Sequence, residues 1–327
     1  MTLPRLEAQV EQQLLGLAGE GPSVVAIGGG HGLAQLLHAV RDYAGHIAAV
    51  VNVADDGGSS GRLIQDLPMP PPGDVRRALL ALTPEPSVVA ELFAYRFDES
   101  DVAGHSLGNL LLAALADITG DFPRALDVAA DLLRCVGRVL PASSQRLRLE
   151  AIVDGERVRG QVAVATAPGT IERIELLPED APGVPAAAAA IRQADQVLLA
   201  PGSLYTSLIA ALRAPGIAEA VEETAGDVIW VMNLVTQEHE TAGMSGLDHV
   251  AALSEVGGIR RTGTMLLNDG PFEVPEVVDP ITIDVIEAME WGWSLCSADL
   301  VDREATWPQH HPIRLGRALS DLAEDKE

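Results

Sequence analysis

The chain has 327 residues, 47% of them hydrophobic but only 3% aromatic, and its 47 acidic side chains outnumber 22 basic ones for a formal net charge of −25. That length suits one large or two ordinary domains with a core of Ala, Val, Leu and Ile, and the charge excludes the basic footprint that nucleic-acid binding requires. No apolar run reaches the about 20 residues that cross a bilayer, and two distant cysteines, Cys135 and Cys296, make neither a disulfide framework nor a zinc site; a soluble protein of a reducing cytoplasm, without membrane insertion, is expected.

Residues 1–20 place apolar side chains at helical spacing without the basic start and apolar stretch of a leader. They are expected to form an amphipathic helix docked on the body or on a neighbouring subunit of a homo-oligomer. Residues 21–327 are expected to form a single α/β domain. SVVAI from Ser23 is an apolar strand, GGGHG a glycine turn, LAQLLHAVRDY a helix, and IAAVVNVA a second strand. That order begins a doubly wound, Rossmann-like three-layer α/β/α fold with a mostly parallel sheet. Residues 62–136 read as a helical cap built from DVRRALLALT, SVVAELFAYRF, NLLLAALADIT and FPRALDVAADLLR. RLRLEAIVDGERVRGQVAVAT alternates apolar and polar on both sides of Asp154-Gly155, a hairpin signal. With IERIELLP it predicts a small antiparallel β insert at about 146–178. QVLLA, DVIWVMNL and TMLLND return to the strand pattern, LIAALRA is a helix, and RLGRALSDLAEDKE is a closing helix. The acidic, proline-bearing stretch between the last two shows no clear periodicity.

The polar chemistry collects at the ends of the apolar strands. Gly28, Gly29, Gly30, His31 and Gly32 lie between a strand and a helix, where bare backbone and helix N–H groups suit an anion; an ordinary tight turn is the plainer alternative. Asp55 and Asp56 end the second strand, where carboxylates accept from ribose hydroxyls or hold a phosphate-bound divalent metal such as Mg2+. Gly57, Gly58, Ser59, Ser60 and Arg62 then supply an anion nest with a fixed charge, unless the segment is a solvated turn. Asp74 in PPGDVRRAL is a good N-cap, and Arg96 in YRF fits a salt bridge equally well.

GHSLGN at 104–109 matches the nucleophile elbow G-x-S-x-G, but the preceding RFDESDVA is no strand. His105 and Asn109 could instead face an anion. In PGSLYTS, Gly202, Ser203, Thr206 and Ser207 suit a second phosphate or sugar contact, with simple capping by Ser203 as the alternative. Asn233 ends the next strand and could read a base or a sugar, and Glu240 is the candidate general base nearby. His239, His249, His310 and His311 lack zinc spacing and read as surface or core residues. The chain has one lysine, Lys326, which excludes a Walker loop and Schiff-base chemistry. Phosphate binding therefore falls to peptide N–H groups and arginine. The expected ligand is a phosphorylated sugar or nucleotide in a crevice at the strand ends.

GGGHGL, VADDGGSSGRL, PPGDVRRAL, YRF, GHSLGNLLLAAL, VLPAS, APGSLYTS and NLVTQEHET, in this order, resemble the CofD-like superfamily from about residue 24 to 249. The nearer likeness is to its YvcK-type branch, the gluconeogenesis factors. That resemblance implies a cytoplasmic protein that binds a nucleotide-diphosphate sugar of the UDP-N-acetylglucosamine type and links carbon metabolism to cell shape and the cell-wall synthesis proteins. The sister branch, the 2-phospho-L-lactate transferases, implies the alternative of a metal-dependent transferase that moves a phospholactyl-type group from a nucleoside diphosphate donor to a deazaflavin. By resemblance, Asp55 and Asp56 contact the donor's sugar or metal, the 28–32 and 202–207 loops surround the diphosphate, and Asn233 lies near the base. Asp74, His105 and Asn109 join the sugar- and base-facing set, and no catalytic residue is assigned. Three positions depart from the family pattern: His31 for a common threonine, Arg77 for asparagine, and His239 for the glycine of TQxGET.

Overall fold

The computed structural model describes residues 20–54, 56, 69–84, 86–99 and 103–324. The expected N-terminal helix falls outside them, as do Asp55, Gly57, Gly58, Ser59, Ser60 and Arg62.

The first unit is β1 (Ser23–Gly28), α1 (Gly30–Val40) and β2 (His46–Val51). Helices α2 (Gly73–Ala81), α3 (Val88–Ala94), α4 (Leu107–Thr119) and α5 (Phe122–Leu133) follow, then β3 (Arg138–Pro141). The insert is β4 (Arg148–Val153), β5 (Glu156–Arg159), α6 (Gln161–Ala165) and β6 (Ile171–Leu177). The chain returns through α7 (Pro185–Gln193) to β7 (Gln196–Leu199). A π-helical turn (Leu204–Ile209) then runs into α8 (Ala210–Leu212), followed by α9 (Ile217–Glu223) and β8 (Asp227–Val231). The remainder is α10 (Gly246–Glu255), β9 (Thr264–Asn268), α11 (Val285–Glu290), β10 (Ser294–Ala298) and α12 (Pro312–Glu324).

Seven strands make one sheet in the order β10-β9-β8-β7-β1-β2-β3, and every pairing is parallel. Its central strands are apolar throughout because both faces are covered: Val24 to Ile27 and Val197 to Leu199 are at most 3% exposed. Strands β4, β5 and β6 form a separate antiparallel sheet, order β5-β4-β6. Asp154 (φ 47) and Gly155 (φ 79) take the two left-handed positions of its hairpin turn, as the Asp-Gly pair requires.

The expected α/β/α architecture with an antiparallel insert is the one observed, with three local differences. VLPAS lies at the end of an edge strand, β3. The alternation after Gly160 does not continue a strand, because that glycine turns the chain at φ +97 and Gln161–Ala165 closes into a helical turn. The unassigned stretch holds α11 and the opposite edge strand, β10.

The strand order reverses between β1 and β7. One neighbour of β1 is β2, which continues to β3, and the other is β7, which begins the second half of the sheet, so the loops after β1 and β7 leave in opposite directions and open a crevice.

Candidate functional site

The two glycine loops meet at that crevice. Gly28 ends β1 at φ +155, with a Cβ position only 2.8 Å from Ala200 Cβ, so no side chain fits there. Gly32, in the first turn of α1, lies against the Pro201 carbonyl: a Cβ on it would stand 2.6 Å from the Pro201 carbonyl carbon and 3.1 Å from Gly202 N. Gly29 faces the same hollow, its Cβ position 2.6 Å from Asp74 Oδ2 and 3.4 Å from Ser207 Oγ. Gly28, Gly29, Gly32, Asp74, Gly202 and Ser207 therefore share one place, and His31 projects to the surface beside it.

Asp74 is 7% exposed and has two partners. Its Oδ2 accepts from Gly30 N–H at 2.9 Å, and its Oδ1 accepts from Arg77 Nη1 at 2.5 Å. The sequence suggested a cap for its own helix; the carboxylate instead caps α1, one element away, where an anion is favoured by the N-terminal N–H groups. Arg77, the departure from the family asparagine, is what balances that charge. Arg76 lies alongside, buried, with its pKa pushed down to about 10 by burial and then by the neighbouring charges of Arg77 and Arg96. Arg76 and Arg77 thus stand side by side at the start of α2 in a protein of net charge −25.

The GHSLGN segment supports this cluster from behind. Asn109 is 2% exposed and its Oδ1 accepts from Arg76 Nε at 3.0 Å, while Phe93 O accepts from Arg76 Nη1 at 3.2 Å. Sequence reading turned Asn109 toward a ligand; the structure turns that oxygen toward Arg76. The His105 carbonyl accepts from Phe97 N–H at 3.0 Å. Ser106 is fully buried before α4, not raised at a strand end, so the hydrolase elbow has no counterpart here.

The second half of the site is held by polar side chains from the end of β8 and the turn that follows it. Asn233 donates from Nδ2 to Gly202 O (2.7 Å) and accepts at Oδ1 from Gly202 N–H (2.6 Å), clasping both sides of one residue. Base reading was expected of this amide; in the structure it shapes the loop. Glu240, 8% exposed, accepts at Oε1 from Tyr205 N–H (2.8 Å) and Thr206 N–H (2.6 Å). It caps the π-helical turn, the role that the plainer alternative gave to Ser203. Burial pushes its carboxyl up, opposed by the hydrogen bonds from Thr206, Ser203 and Tyr205. A carboxylate so committed is scaffold, and the general-base expectation for Glu240 is withdrawn.

One contributor escaped sequence reading. Asn52, 2% exposed, donates from Nδ2 to Thr206 O (3.0 Å) and accepts from Ala54 N–H, while its own N–H reaches Gly28 O at 2.8 Å. It ties β2, β1 and the π-helical turn together. Its signal was a lone amide in the apolar run VVNVA, since a buried polar side chain needs a partner.

The metal expectation fares differently. Asp56 aims its carboxylate at the insert, accepting from Gln161 N–H (3.0 Å) and Val162 N–H (3.1 Å), and so caps α6. Among the described residues no group of three or more His, Cys, Asp or Glu side chains is placed to hold a metal ion. Asp55, the other carboxylate expected at a metal, lies outside the described residues. Among the described residues, too, no helix is long and apolar enough to cross a membrane.

The chain is similar to known proteins. Residues 24–301 match the family described as 2-phospho-L-lactate transferase CofD. The gluconeogenesis factor of Halalkalibacterium halodurans is 39% identical over 306 residues, 91% of this chain and 95% of the relative. The gluconeogenesis factor of Bacillus subtilis is 37% identical over 316 residues, 94% and 100% respectively. A crystal structure of a UPF0052 family member from Bacillus halodurans superposes with a TM-score of 0.87 at 35% identity, covering 92% of this chain and 99% of that one. With the motifs, the doubly wound sheet and the paired glycine loops in agreement, the chain belongs to the CofD family, on the branch whose members carry the name gluconeogenesis factor.

Proposed function

We propose that this protein binds a nucleotide-diphosphate sugar of the UDP-N-acetylglucosamine type in the crevice between β1 and β7, and acts as a cytoplasmic regulator that passes the bound state to cell-wall synthesis proteins. The observation that carries the reading is the contact of two glycine loops beside the Asp74–Arg77 pair and Arg76. Peptide N–H groups and guanidiniums supply the counter-charge that a lysine would supply elsewhere. Charge-assisted hydrogen bonds to phosphate contribute about 1.5–3 kcal/mol each, so a few suffice for the about 8 kcal/mol of micromolar affinity. In this reading the Gly28–Gly32 and Gly202–Ser207 backbones receive the diphosphate through amides other than those of Gly30, Gly202, Tyr205 and Thr206, which side chains already hold, and Gly57, Gly58, Ser59, Ser60 and Arg62 add further contacts. Asp55, Asp74, His105 and the far side of Asn233 border the sugar and base.

Calorimetric titration with UDP-N-acetylglucosamine tests the reading; micromolar binding without product is the expected result. Failure of every nucleoside diphosphate to bind would refute it. The family description favours one second reading, transfer of a phospholactyl-type group from a nucleoside diphosphate donor to a deazaflavin. Product from a guanosine-diphosphate donor, deazaflavin and Mg2+ would establish that reading and sink the regulatory one.

A further inference from the structure

Behind the Gly202–Asn233 clasp lies a second, smaller feature. The side chains of Leu204, Trp230 and Met232, with Gly202, Asn233 and His249, line a cavity of about 10 Å3. His249 sits in the first turn of α10 and is 1% exposed. Its Nδ1 lies 2.7 Å from the Ser245 carbonyl oxygen. A carbonyl only accepts, so Nδ1 carries the proton and the neutral ring leaves a lone pair on Nε2. That Nε2 is buried and has no hydrogen-bond partner among the described residues. Burial also lowers the pKa of this histidine, which keeps the ring neutral. An unmatched buried acceptor is destabilising, and the apolar walls of Leu204, Trp230 and Met232 offer nothing to relieve it.

We propose that this cavity is a built site for one uncharged hydrogen-bond donor, an O–H or N–H group that donates to His249 Nε2. Its volume is near the about 10–15 Å3 at which a cavity admits a single water. Two sources carry that chemistry: an internal water, or a hydroxyl or ring N–H of a ligand that reaches past Gly202. Because Gly202 and Asn233 belong to both the cavity and the crevice, a donor held here links the phosphate-facing loop to α10. The inference does not rest on the nucleotide reading, since the ring and its partner are present whether or not a nucleotide binds.

Nitrogen-15 histidine NMR of the full chain, with and without UDP-N-acetylglucosamine, is the test. The His249 signal is assigned by its loss in His249→Phe, or in His249→Gln if the first variant does not fold. The expected result is an Nδ1-protonated ring whose Nε2 shift is that of a hydrogen-bonded acceptor. If that shift is unchanged by the nucleotide-sugar, the donor is water. If it moves, and the histidine variant binds the nucleotide-sugar about tenfold more weakly, the donor belongs to the ligand. An Nε2-protonated or charged ring, or an Nε2 shift of a bare lone pair in both samples, would overturn the proposal.

Discussion

Replacing Gly32 with alanine probes the contact on which the crevice depends. Gly32 does not lie in the left-handed region, so its backbone accommodates alanine without strain. In a helix that exchange gains up to about 1 kcal/mol. Here the new Cβ would fall 2.6 Å from the Pro201 carbonyl carbon and 3.1 Å from Gly202 N, and both are main chain, so no side chain can rotate away. Restoring ordinary contact separates α1 from the β7 loop by about 1 Å, at the about 1–3 kcal/mol typical of overpacking. After the helix gain, a net loss of about 1–2 kcal/mol in urea unfolding is expected. The larger effect falls on the ligand. A loop displaced that far gives up at least one phosphate hydrogen bond, about 1.5–3 kcal/mol, so calorimetry should record tenfold or greater weakening. A Gly32→Ala protein with the parent's unfolding midpoint and dissociation constant would refute the claim that the loops touch and jointly hold the ligand.

Asn233→Asp replaces the Nδ2 donor with an oxygen facing Gly202 O; a loss of about 1–3 kcal/mol of stability together with weaker nucleotide binding is expected, and unchanged binding would mean the clasp is idle. Glu240→Gln keeps an acceptor for Tyr205 and Thr206 N–H and should unfold within about 1 kcal/mol of the parent at pH 7, while Glu240→Ala loses about 2–3 kcal/mol; equal stability of the two variants would contradict the capping role. Because the Glu240 carboxyl is raised when folded, its contribution is greatest below the unfolded-state value and is lost as pH rises through the folded one. His310 works in the opposite sense: fully buried, with its pKa pushed down to about 4, it stays neutral in the folded chain while the unfolded chain protonates below about 6.5. Stability held above that value should therefore fall by about 3 kcal/mol as pH drops toward 4, and His310→Gln should show a shallower acid slope; a slope identical to the parent's would exclude His310 as its source.

What the sequence disclosed and what it withheld divide along physical lines. β1, β2, β7 and β8 were legible because a strand covered on both faces is a continuous apolar run. The hairpin was legible because its turn needs two left-handed residues and Asp-Gly supplies them. Edge strands β3 and β10 were not: β3 is only four residues long, though largely buried, and β10 is partly exposed, so its apolar signal is weak. At the site, glycine spacing pointed to the two loops, but not to their mutual contact, which depends on the strand order. The polar side chains also carry structural bonds that spacing did not foretell. Asn109, Asn233, Glu240 and Asp56 all looked like ligand contacts, yet each reaches main chain or an arginine from a different part of the chain. Spacing along a sequence reports which groups are near a crevice; it does not report which of them are consumed in building it.

The clasp of Asn233 on Gly202 and the grip of Glu240 on the π-helical turn bear on how affinity is set. Together with Asn52 they fix the β7 loop to the ends of β2 and β8 and to the turn at Glu240 before any ligand arrives. Binding on this side therefore forfeits little conformational entropy, and a larger share of each phosphate hydrogen bond survives in the net affinity. Gly30 differs, since its N–H is held by a carboxylate that is itself steadied by Arg77. An incoming diphosphate meets a preorganised wall on one side and a charge it must negotiate with on the other, so adjustment on ligation should concentrate at α1 and α2.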